Sequence, residues 1–297
     1  MINQMCKKDE PLSNHCTFRI GGPADYFYTA KSTEKIQPLI EEAKSQNLQY
    51  FIFGGGSNIL FDDKGFRGLV IKIDTKTITT KDTEITADAG TTIPELIKFA
   101  TEQHLQGLEK WIGLPGTVGG AVRGNAGCNG LETAQILTEC QVLDPESGKI
   151  TTLQNKDLEY DYRESTLKHS NKIILKATFK LEPSTKTPEE QQKLTTQTKT
   201  KRYDTQPPGF SSGSFFKNPS PENPAGKLID EAGLKGTQIG KAKISPKHGN
   251  FLQNLGGATA KDILALAKLI KQEVHAKFNI NLEEEVQILT EYGKTET

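Results

Sequence analysis

The chain has no net charge, no long apolar run and little cysteine. Of its 297 residues, 37 are basic and 37 are acidic, so the formal charge is zero. A protein without a basic excess lacks the overall field that attracts nucleic acids or anionic membranes. No apolar stretch approaches the roughly 20 residues that a helix needs to cross a bilayer. We therefore expect neither a nucleic-acid partner nor a membrane partner.

The few cysteines and histidines exclude several further kinds of site. The four cysteines show neither Cys-x-x-Cys spacing nor the density of a disulfide-rich domain. The five histidines lack the His-Glu-x-x-His pattern and any paired-ligand spacing, so no metal site is predicted. Residues 1–10 contain no apolar core of a secretory signal. These features are typical of a cytoplasmic protein with reduced thiols, and we expect a monomer.

Glycine, in contrast, is concentrated in two segments. The first, at residues 54–56, follows the apolar residues 48–53, which predict a buried strand, and precedes Ser57 and Asn58. Glycines at such a point let backbone N–H groups converge on an anion, and the two polar side chains add donors. No Walker-type lysine follows, and no Gly-x-Gly-x-x-Gly pattern opens a helix. We interpret the segment as a phosphate-binding loop of another kind.

The second segment, residues 113–127, is richer in glycine and also contains small apolar residues. Each glycine inside a helix or strand costs about 0.5–1 kcal/mol relative to alanine, so we expect no regular element here. A flexible surface loop would contain Ser, Asp and Lys, which the segment lacks. A backbone that lies against an extended ligand explains both properties. Together, the two segments predict a long dinucleotide that is bound along its length.

Local patterns divide the chain into three regions. Residues 1–75 alternate helix and strand, residues 76–182 are rich in strands, and residues 183–297 begin with a polar stretch. That stretch, residues 183–206, predicts a solvated helix or a linker, and we expect a domain boundary there. The last strand, predicted at residues 286–289, belongs either to the third region or to the preceding module.

Three helices are predicted together with the residues that cap them. The first begins at Ser32 or Thr33, the second at Thr91 or Thr92, and the third at Thr259. A hydroxyl side chain at the N-cap accepts a hydrogen bond from an otherwise unpaired backbone N–H group. Each cap is followed by apolar residues at helical spacing, which indicates one buried face.

Eight motifs occur in an order that resembles one known family, the UDP-N-acetylenolpyruvoylglucosamine reductases. They are TFRIGGPA at 17–24, GGGSN at 54–58, the glycine-rich residues 113–127, YRES at 162–165, GSFFKNP at 213–219, AGKLI at 225–229, KHGNF at 247–251 and LEEEV at 282–286. The resemblance implies an α+β fold. Residues 1–75 and 76–182 would form a two-part FAD-binding module of the vanillyl-alcohol-oxidase type. Residues 183–297 would form a C-terminal α/β substrate domain.

The resemblance also implies an activity. An enzyme of this family is a UDP-N-acetylmuramate dehydrogenase, which uses NADPH and FAD to reduce a UDP-N-acetylglucosamine enolpyruvate in peptidoglycan precursor synthesis. We expect FAD to be bound without a covalent link, because residues 53–58 contain no histidine for attachment. NADPH and the UDP-sugar would act as successive substrates, so ping-pong kinetics is expected.

Three residues match the catalytic positions of the family. Ser214 would donate a proton to the substrate carbon next to the one that receives hydride. Arg163 would clamp the substrate carboxylate while enolate charge develops, because a guanidinium binds a carboxylate with two hydrogen bonds. Glu285 would share the hydrogen-bond network at that carboxylate. Without the resemblance, the three would be interpreted as a turn residue, a surface ion pair and part of a solvated charge run.

The same motifs imply the residues that bind the cofactor and the substrate. The expected cofactor-binding residues are Arg19, Gly54, Gly55, Gly56, Ser57, Asn58, Pro115, Gly116, Thr117, Gly119, Gly120, Ala121, Asn125, Gly127 and Arg202. The expected substrate-binding residues are Tyr162, Lys217, Asn218, Lys227 and His248.

The chain departs from the family pattern at three points. Gln287 stands where a basic residue is common, so one charge near the substrate is missing. Arg123 is bulkier than the usual residue before the Gly-Asn pair. The stretch between Arg163 and Ser214 is short, which resembles the subclass without a tyrosine-bearing lid.

Two other functions stay open on the sequence alone. A sugar or alcohol oxidase that uses oxygen would have the same flavin scaffold. A non-catalytic nucleotide-binding module would share the glycine segments. The second alternative gives no reason for the Tyr-Arg, Gly-Ser-Phe and C-terminal Glu motifs to occur together.

Overall fold

The structure, a computed structural model, describes residues 1–294, apart from the side chains of Pro188, Gln192, Lys201, Tyr203 and Lys294. The described residues form seven α-helices and nineteen strands. The helices are α1 (Ile2–Met5), α2 (Ile36–Ser45), α3 (Ile93–Glu102), α4 (Val118–Arg123), α5 (Pro188–Thr205), α6 (Ala225–Glu231) and α7 (Ala260–Phe278).

The strands are mostly short and are joined by turns. They are β1 (Lys7–Pro11), β2 (Pro23–Ala30), β3 (Gln49–Phe53), β4 (Ile59–Phe61), β5 (Phe66–Ile73), β6 (Ile78–Lys81), β7 (Glu84–Asp88), β8 (Leu105–Gln106), β9 (Gly127–Cys128), β10 (Leu131–Glu132), β11 (Leu137–Leu143), β12 (Ile150–Gln154), β13 (Ile173–Lys180), β14 (Glu182–Pro183), β15 (Gln238–Ile239), β16 (Ala242–Ile244), β17 (Leu252–Asn254), β18 (Gln287–Thr290) and β19 (Gly293–Lys294). Most of the strand pairs are antiparallel, with β18 and β4 a parallel pair, and the helices lie between groups of strands. This confirms the predicted α+β class.

The chain divides into two compact units, each made of several stretches. Unit 1 contains Met1–Ile2, Tyr28–Gly55 and Ile71–Arg202. Unit 2 contains Asn3–Phe27, Gly56–Val70 and the chain from Tyr203 onward. The predicted division at residues 75 and 182 stays a prediction.

Unit 1 is built around an antiparallel sheet of five strands in the order β12-β11-β13-β7-β6. Alternate residues of the central strands, such as Ala87, Ala177 and Phe179, are buried. The β-branched and apolar composition of residues 76–182 therefore predicted this strand-rich region correctly. Helix α3 begins with the predicted cap, because Glu95 N donates to Thr92 Oγ1 (3.3 Å) and Thr92 N donates to the Glu95 carboxylate (2.8 Å).

Two predictions for unit 1 are wrong. Helix α2 begins at Ile36 after Lys35 and has no side-chain cap, because the Ser32 hydroxyl bonds to the Glu34 carboxylate instead. Residues 118–123, where glycine content argued against any regular element, form helix α4. The reason is tertiary packing. A β-carbon on Gly119 would lie 3.0 Å from Ala89 Cβ, so a small residue lets the helix approach the chain after β7.

Unit 2 is held together by helix α7 and several short strands. The buried face of α7 contains Ile263, Leu266, Ala267, Ile270 and Val274. Its predicted cap is confirmed, since Asp262 N donates to Thr259 Oγ1 at 3.0 Å. Strands β15, β16 and β17 form an antiparallel sheet. Near the end of the chain, the four-residue strand β18 pairs in parallel with β4, which comes more than 220 positions earlier in the sequence.

Among residues 1–294, no helix has both the length and the apolar composition required to cross a membrane.

Candidate functional site

The two glycine segments meet in unit 1. A β-carbon on Gly54 would overlap the hydroxyl of Thr117, and a β-carbon on Gly55 would lie 3.1 Å from the α-carbon of Gly116. Backbone atoms can come this close only where side chains are missing. The structure therefore brings together four of the residues predicted to bind the cofactor. Neighbouring Pro115 is exposed.

The hydroxyl of Thr117 is buried and has no hydrogen-bond partner within residues 1–294. A buried polar group without a partner costs about 1–3 kcal/mol. An oxygen-rich ligand beside Gly54 and Gly55 would supply the missing partner. The orphaned Thr117 hydroxyl is the feature of this region that fits an oxygen-rich dinucleotide cofactor.

Two backbone N–H groups at the start of helix α4 already form hydrogen bonds within the protein. Gly119 N donates to Ala89 O at 2.9 Å, and Val118 N donates to Thr91 O at 2.9 Å, so these two groups are already paired. Ala121 is buried and Gly120 is exposed. The roles of Gly119, Gly120 and Ala121 in cofactor binding stay predictions.

Asn125 has a side chain that is fully engaged by the protein. Its Nδ2 donates to Glu132 Oε2 and to Asp161 O, both at 3.0 Å, and its Oδ1 accepts from Ala134 N at 3.0 Å. It is 1% exposed. Its side chain therefore fixes the end of the second glycine segment, and a cofactor contact would use its backbone.

Arg163 lies at the tip of a tight turn next to the same segment. The turn is closed by two hydrogen bonds between the backbones of Asp161 and Glu164, at 3.0 and 3.2 Å. Arg163 has a φ of 58°, a left-handed conformation that is uncommon outside glycine and often occurs at functional sites. Its Nη2 donates to Gly127 O at 3.2 Å, and its guanidinium lies 5.2 Å from the ring of the exposed Tyr162.

The departure at Arg123 has a structural explanation. Its guanidinium is partly buried and donates to the carbonyl oxygens of Lys168 and Ser170, each at 3.2 Å. Burial lowers the pKa of this guanidinium. Ser165 Oγ donates to Arg123 O at 2.6 Å. Arg123 thus connects helix α4 to the chain that follows the Arg163 turn.

Arg202, at the end of α5, lies over the start of the second glycine segment. A β-carbon on Gly113 would overlap the Arg202 side chain, and Arg202 Nη1 lies 3.3 Å from Cys128 Sγ. The structure therefore places this predicted cofactor-binding arginine against the glycine segment.

In unit 2, the segment that contains Ser214 runs between two other segments. Ser214 forms a β-bridge with Phe251, and Phe215 N donates to Asn250 O at 2.8 Å. Asn250 is 2% exposed, and its side chain forms hydrogen bonds with both the N–H (2.9 Å) and the C=O (2.8 Å) of Phe216. The backbone around Ser214 is therefore held from one side by residues 250–251. The Ser214 hydroxyl has no hydrogen-bond partner among the residues that the structure describes.

Glu285 lies on the other side of the same segment. Glu285 N donates to Phe215 O at 2.8 Å, which places Glu285 beside the residue that follows Ser214. The two preceding carboxylates form ion pairs with lysines: Glu283 pairs with Lys217 (3.0 Å) and Glu284 pairs with Lys271 (2.9 Å). The structure therefore brings Ser214 and Glu285 to adjacent segments and separates Glu285 from the run of acidic residues around it.

The end of the first glycine loop belongs to unit 2. Gly56 has a φ of 64°, and a β-carbon there would overlap the carbonyl oxygen of His15. Thr17 N donates to Gly56 O at 3.0 Å, and Ser57 O accepts from Thr17 Oγ1 at 3.5 Å. Arg19 is exposed and donates from Nη1 to Asn14 O at 3.2 Å.

A cavity of about 430 Å³ in unit 2 contains Ser214 in its wall. Three lysines line the cavity, together with two carboxylates, and give it a positive balance. The charged residues are Lys227, Lys235, Lys247, Asp230 and Glu231. Amine and amide groups in such a pocket can bind the oxygens of a diphosphate.

His248 lies in the wall of the cavity and packs closely on helix α6. A β-carbon on Gly226 would lie 2.9 Å from its Cε1 atom. Its Nδ1 accepts a hydrogen bond from Asn250 N at 3.3 Å. Burial, together with the nearby charge of Lys235, lowers the pKa of His248 and favours the neutral imidazole.

Besides His248, three predicted substrate-binding residues lie at or near this cavity. Asn218 and Lys227 line it, and the Oδ1 atom of Asn218 accepts from Ala225 N (3.1 Å) at the start of α6. Lys227 is exposed and lies 4.0 Å from Glu231. Lys217, which pairs with Glu283, belongs to the Ser214 segment.

Several residues of the cavity were not predicted. Lys235 follows α6 in a turn and belongs to none of the eight motifs, so the sequence contained no signal for it. Lys247 and Asn250 lie inside a recognised motif but were not assigned. Ser245 explains the placement of Lys247, because its hydroxyl accepts hydrogen bonds from the backbone N–H groups of Lys247 (3.1 Å) and of the next residue, His248 (3.3 Å).

Comparison with known proteins gives matches along almost the whole chain. Residues 24–154 match the family model described as an FAD binding domain, and residues 206–289 match the C-terminal domain of UDP-N-acetylenolpyruvoylglucosamine reductase. The reductase of that name from Bacillus pumilus is 40% identical over 288 residues, covering 96% of this chain and 94% of the relative. The reductase from a Nostoc species is 41% identical over 290 residues, covering 96% and 87%.

A solved structure gives the same result for the fold. The crystal structure of the reductase from Thermus caldophilus has a TM-score of 0.80 and 33% identity, and it covers 96% of this chain and 99% of that protein. These values extend over both units and all eight motifs. The chain belongs to the UDP-N-acetylenolpyruvoylglucosamine reductase family.

Proposed function

We propose that this protein is an FAD-dependent enzyme that uses NADPH to reduce UDP-N-acetylglucosamine enolpyruvate to UDP-N-acetylmuramate. The product is a precursor of peptidoglycan. The observation that carries the proposal is the full-length similarity to reductases of this name. The buried, unpaired Thr117 hydroxyl beside Gly54 and Gly55 supports it independently, because an oxygen-rich cofactor would supply the partner that this hydroxyl lacks.

The glycine region, defined as Gly54–Gly55 with Gly116–Thr117, would hold the pyrophosphate part of FAD through backbone N–H groups and the Thr117 hydroxyl. Arg202 would add positive charge at the start of the second glycine segment. The rest of the predicted cofactor-binding set, apart from Asn58, is proposed on the family resemblance alone. When bound, FAD would supply the hydride that reduces the methylene carbon of the enolpyruvyl group.

The lysine cavity, defined as the 430 Å³ cavity lined by Lys227, Lys235 and Lys247, would bind the UDP part of the substrate. Lysine acts as a point charge for phosphate oxygens. His248 would donate or accept hydrogen bonds as a neutral imidazole, because its lowered pKa disfavours the cation. Lys217 and Asn218 would contact the substrate from the Ser214 segment, and Tyr162 would contact it from the Arg163 turn.

Ser214 would donate the proton that completes the reduction. Ser214 lines the lysine cavity and its hydroxyl has no protein partner among residues 1–294, so the hydroxyl is available to a substrate atom. A serine hydroxyl is a weak acid, and its proton transfer needs a site that stabilises the developing charge or returns the proton.

Arg163 and Glu285 would act on the substrate carboxylate. Negative charge develops beside that carboxylate during reduction, and a guanidinium stabilises it through paired hydrogen bonds. Glu285 would contribute a hydrogen bond to the same group in its protonated form. An unchanged pH profile of the Glu285→Gln variant would remove Glu285 from this role.

Steady-state kinetics with product analysis tests the proposal. With NADPH and the enolpyruvyl sugar varied together, we expect parallel lines in double-reciprocal plots and one UDP-N-acetylmuramate formed for each NADPH oxidised. A sugar or alcohol oxidase on the same scaffold would instead consume oxygen with an alcohol substrate and form no muramate. A preparation that binds no FAD would contradict both functions.

We also infer that the enzyme acts as a monomer in the cytoplasm, where NADPH and nucleotide sugars are available. The inference rests on the reduced-thiol pattern of the sequence and on the soluble nature of both substrates. Light scattering of the purified protein at several concentrations, with a dimer mass as the contradicting result, checks the first part. Fractionation of cells that express the tagged chain checks the second.

A further inference from the structure

Asn58, the last residue of the first glycine loop, turns its side chain toward the segment that contains Glu285. Its Nδ2 atom donates to Glu285 O at 2.9 Å. Its own carbonyl oxygen accepts from Gln287 N at 3.0 Å. These two bonds enclose the buried Val286, and they continue directly into the parallel pairing of β4 with β18, which begins at Ile59↔Gln287.

The backbone of Glu285 is therefore fixed from two sides. Its N–H donates to Phe215 O, next to Ser214, and its C=O accepts from the amide of Asn58. Hydrogen bonds to both the N–H and the C=O of a residue restrict its φ and ψ angles and therefore fix the direction of its Cα–Cβ bond. The point from which the Glu285 side chain starts thus depends on a side chain 227 positions earlier in the chain.

We propose that Asn58 is a positioning residue, which holds Glu285 in register with Ser214 and with the exit of the glycine loop. The proposal deepens the proposed function and rests on its assignment of Ser214 and Glu285. It differs from the expectation that Asn58 binds the cofactor, because the structure directs the side-chain amide to a protein carbonyl. The contact requires an N–H donor, so an aspartate of the same shape would place a second acceptor against Glu285 O.

Two variants of Asn58 and one control in the flavin-loaded enzyme test this role. Asn58→Ala removes the donor, and Asn58→Asp keeps the shape but replaces the donor with an acceptor. The matched control is Asn155→Ala, because Asn155 Nδ2 also donates to backbone carbonyls, those of Ala134 and Leu137 at 2.7 Å, within unit 1. Each variant is measured for FAD dissociation by fluorescence, for flavin reduction by NADPH, and for flavin reoxidation by the enolpyruvyl sugar.

For both Asn58 variants, we expect FAD dissociation constants and NADPH reduction rates within about threefold of the parent. Reoxidation by the sugar should slow by about tenfold to a hundredfold, since a small misplacement of a catalytic group has an effect of that size. The aspartate should be at least as slow as the alanine. The control should change thermal stability and leave the ratio of the two half-reactions unchanged.

Two results would overturn the proposal: an unchanged reoxidation rate, with or without weaker FAD binding, or equal loss of both half-reactions. Hydrogen–deuterium exchange provides a second readout that needs no turnover. The amides of Glu285 and Gln287 should exchange at least about fivefold faster in Asn58→Ala than in the parent, because local opening becomes easier. If the parent enzyme does not reduce the sugar, the proposed function fails, and unchanged exchange at these amides would separately refute the positioning role.

Discussion

The glycine region and the lysine cavity, each within its own unit, are built in opposite ways. In the glycine region, Gly54 and Gly55 approach Gly116 and Thr117 because side chains are missing, and one hydroxyl is left without a partner. In the lysine cavity, long charged side chains from α6 and the following turns surround an open volume. We therefore expect added atoms to weaken cofactor binding in the glycine region, and loss of a charge to weaken substrate binding in the lysine cavity. The following variants test this difference from the largest expected effect to the smallest.

Replacing Ser214 by alanine should have the largest effect. General acid catalysis contributes about 10²–10⁴-fold, so reoxidation of the reduced flavin by the enolpyruvyl sugar should slow by that range. Flavin reduction by NADPH should stay nearly unchanged, because the hydroxyl has no protein partner whose loss would alter the fold. Stopped-flow absorbance measures both half-reactions, and equal loss of the two would reassign Ser214 as a structural residue.

Adding one methyl group to Gly54 should break the glycine region. The new β-carbon of Gly54→Ala would overlap the Thr117 hydroxyl, and overpacking of this kind costs about 1–3 kcal/mol. We expect FAD to bind roughly tenfold to a hundredfold more weakly, as measured by fluorescence titration.

Gly124→Ala is the matched control for that substitution. Its β-carbon would come no closer than 3.5 Å to Gly120 O, an ordinary contact, so FAD affinity should stay within about twofold. Equal weakening by the two variants would mean that glycine flexibility, and not space, matters in this region.

Removing one charge from the lysine cavity should affect substrate binding. Lys235→Met deletes a cation in the cavity wall, and a hydrogen bond to a charged group contributes about 1.5–3 kcal/mol when both partners are well placed. Because Lys235 is partly exposed, we expect the lower part of this range, about a tenfold higher KM for the UDP-sugar with unchanged FAD affinity. Lys268→Met, on the exposed side of α7, should change neither constant.

The pH dependence of stability should contain a small contribution from His248. Its pKa in the folded protein lies below the ordinary 6.5, so folding favours the neutral ring. This contribution is complete above pH 6.5 and is lost as the pH falls through the folded value. Between pH 8 and pH 5, the parent should therefore lose more in Tm than His248→Asn does. An identical loss of Tm in both proteins would show that the folded protein does not disfavour the protonated form of His248.

Local features of the fold were predictable from sequence. Thr92 and Thr259 act as caps because each cap depends on residues only three positions away. The Ser32 prediction is wrong because Glu34 competes for its hydroxyl. Helix α4 could not be predicted from its glycine content, because the contact of Gly119 with Ala89 exists only after tertiary packing.

The candidate site shows the same limit. The order of the motifs was sufficient to predict Ser214 and Glu285, and the structure places them on adjacent segments. Lys235 was missed, since its position in the cavity results from a turn that no motif covers. The contact between Asn58 and Glu285 was missed as well, because it joins residues that are far apart in sequence.

One anaerobic experiment tests the central claim most directly. The flavin-loaded protein is bleached with one equivalent of NADPH under argon, and UDP-N-acetylglucosamine enolpyruvate is then added while the absorbance of oxidised flavin is followed. We predict that the absorbance returns in full, with one equivalent of UDP-N-acetylmuramate formed. A flavin that stays reduced under argon and returns only when oxygen is admitted would contradict the account.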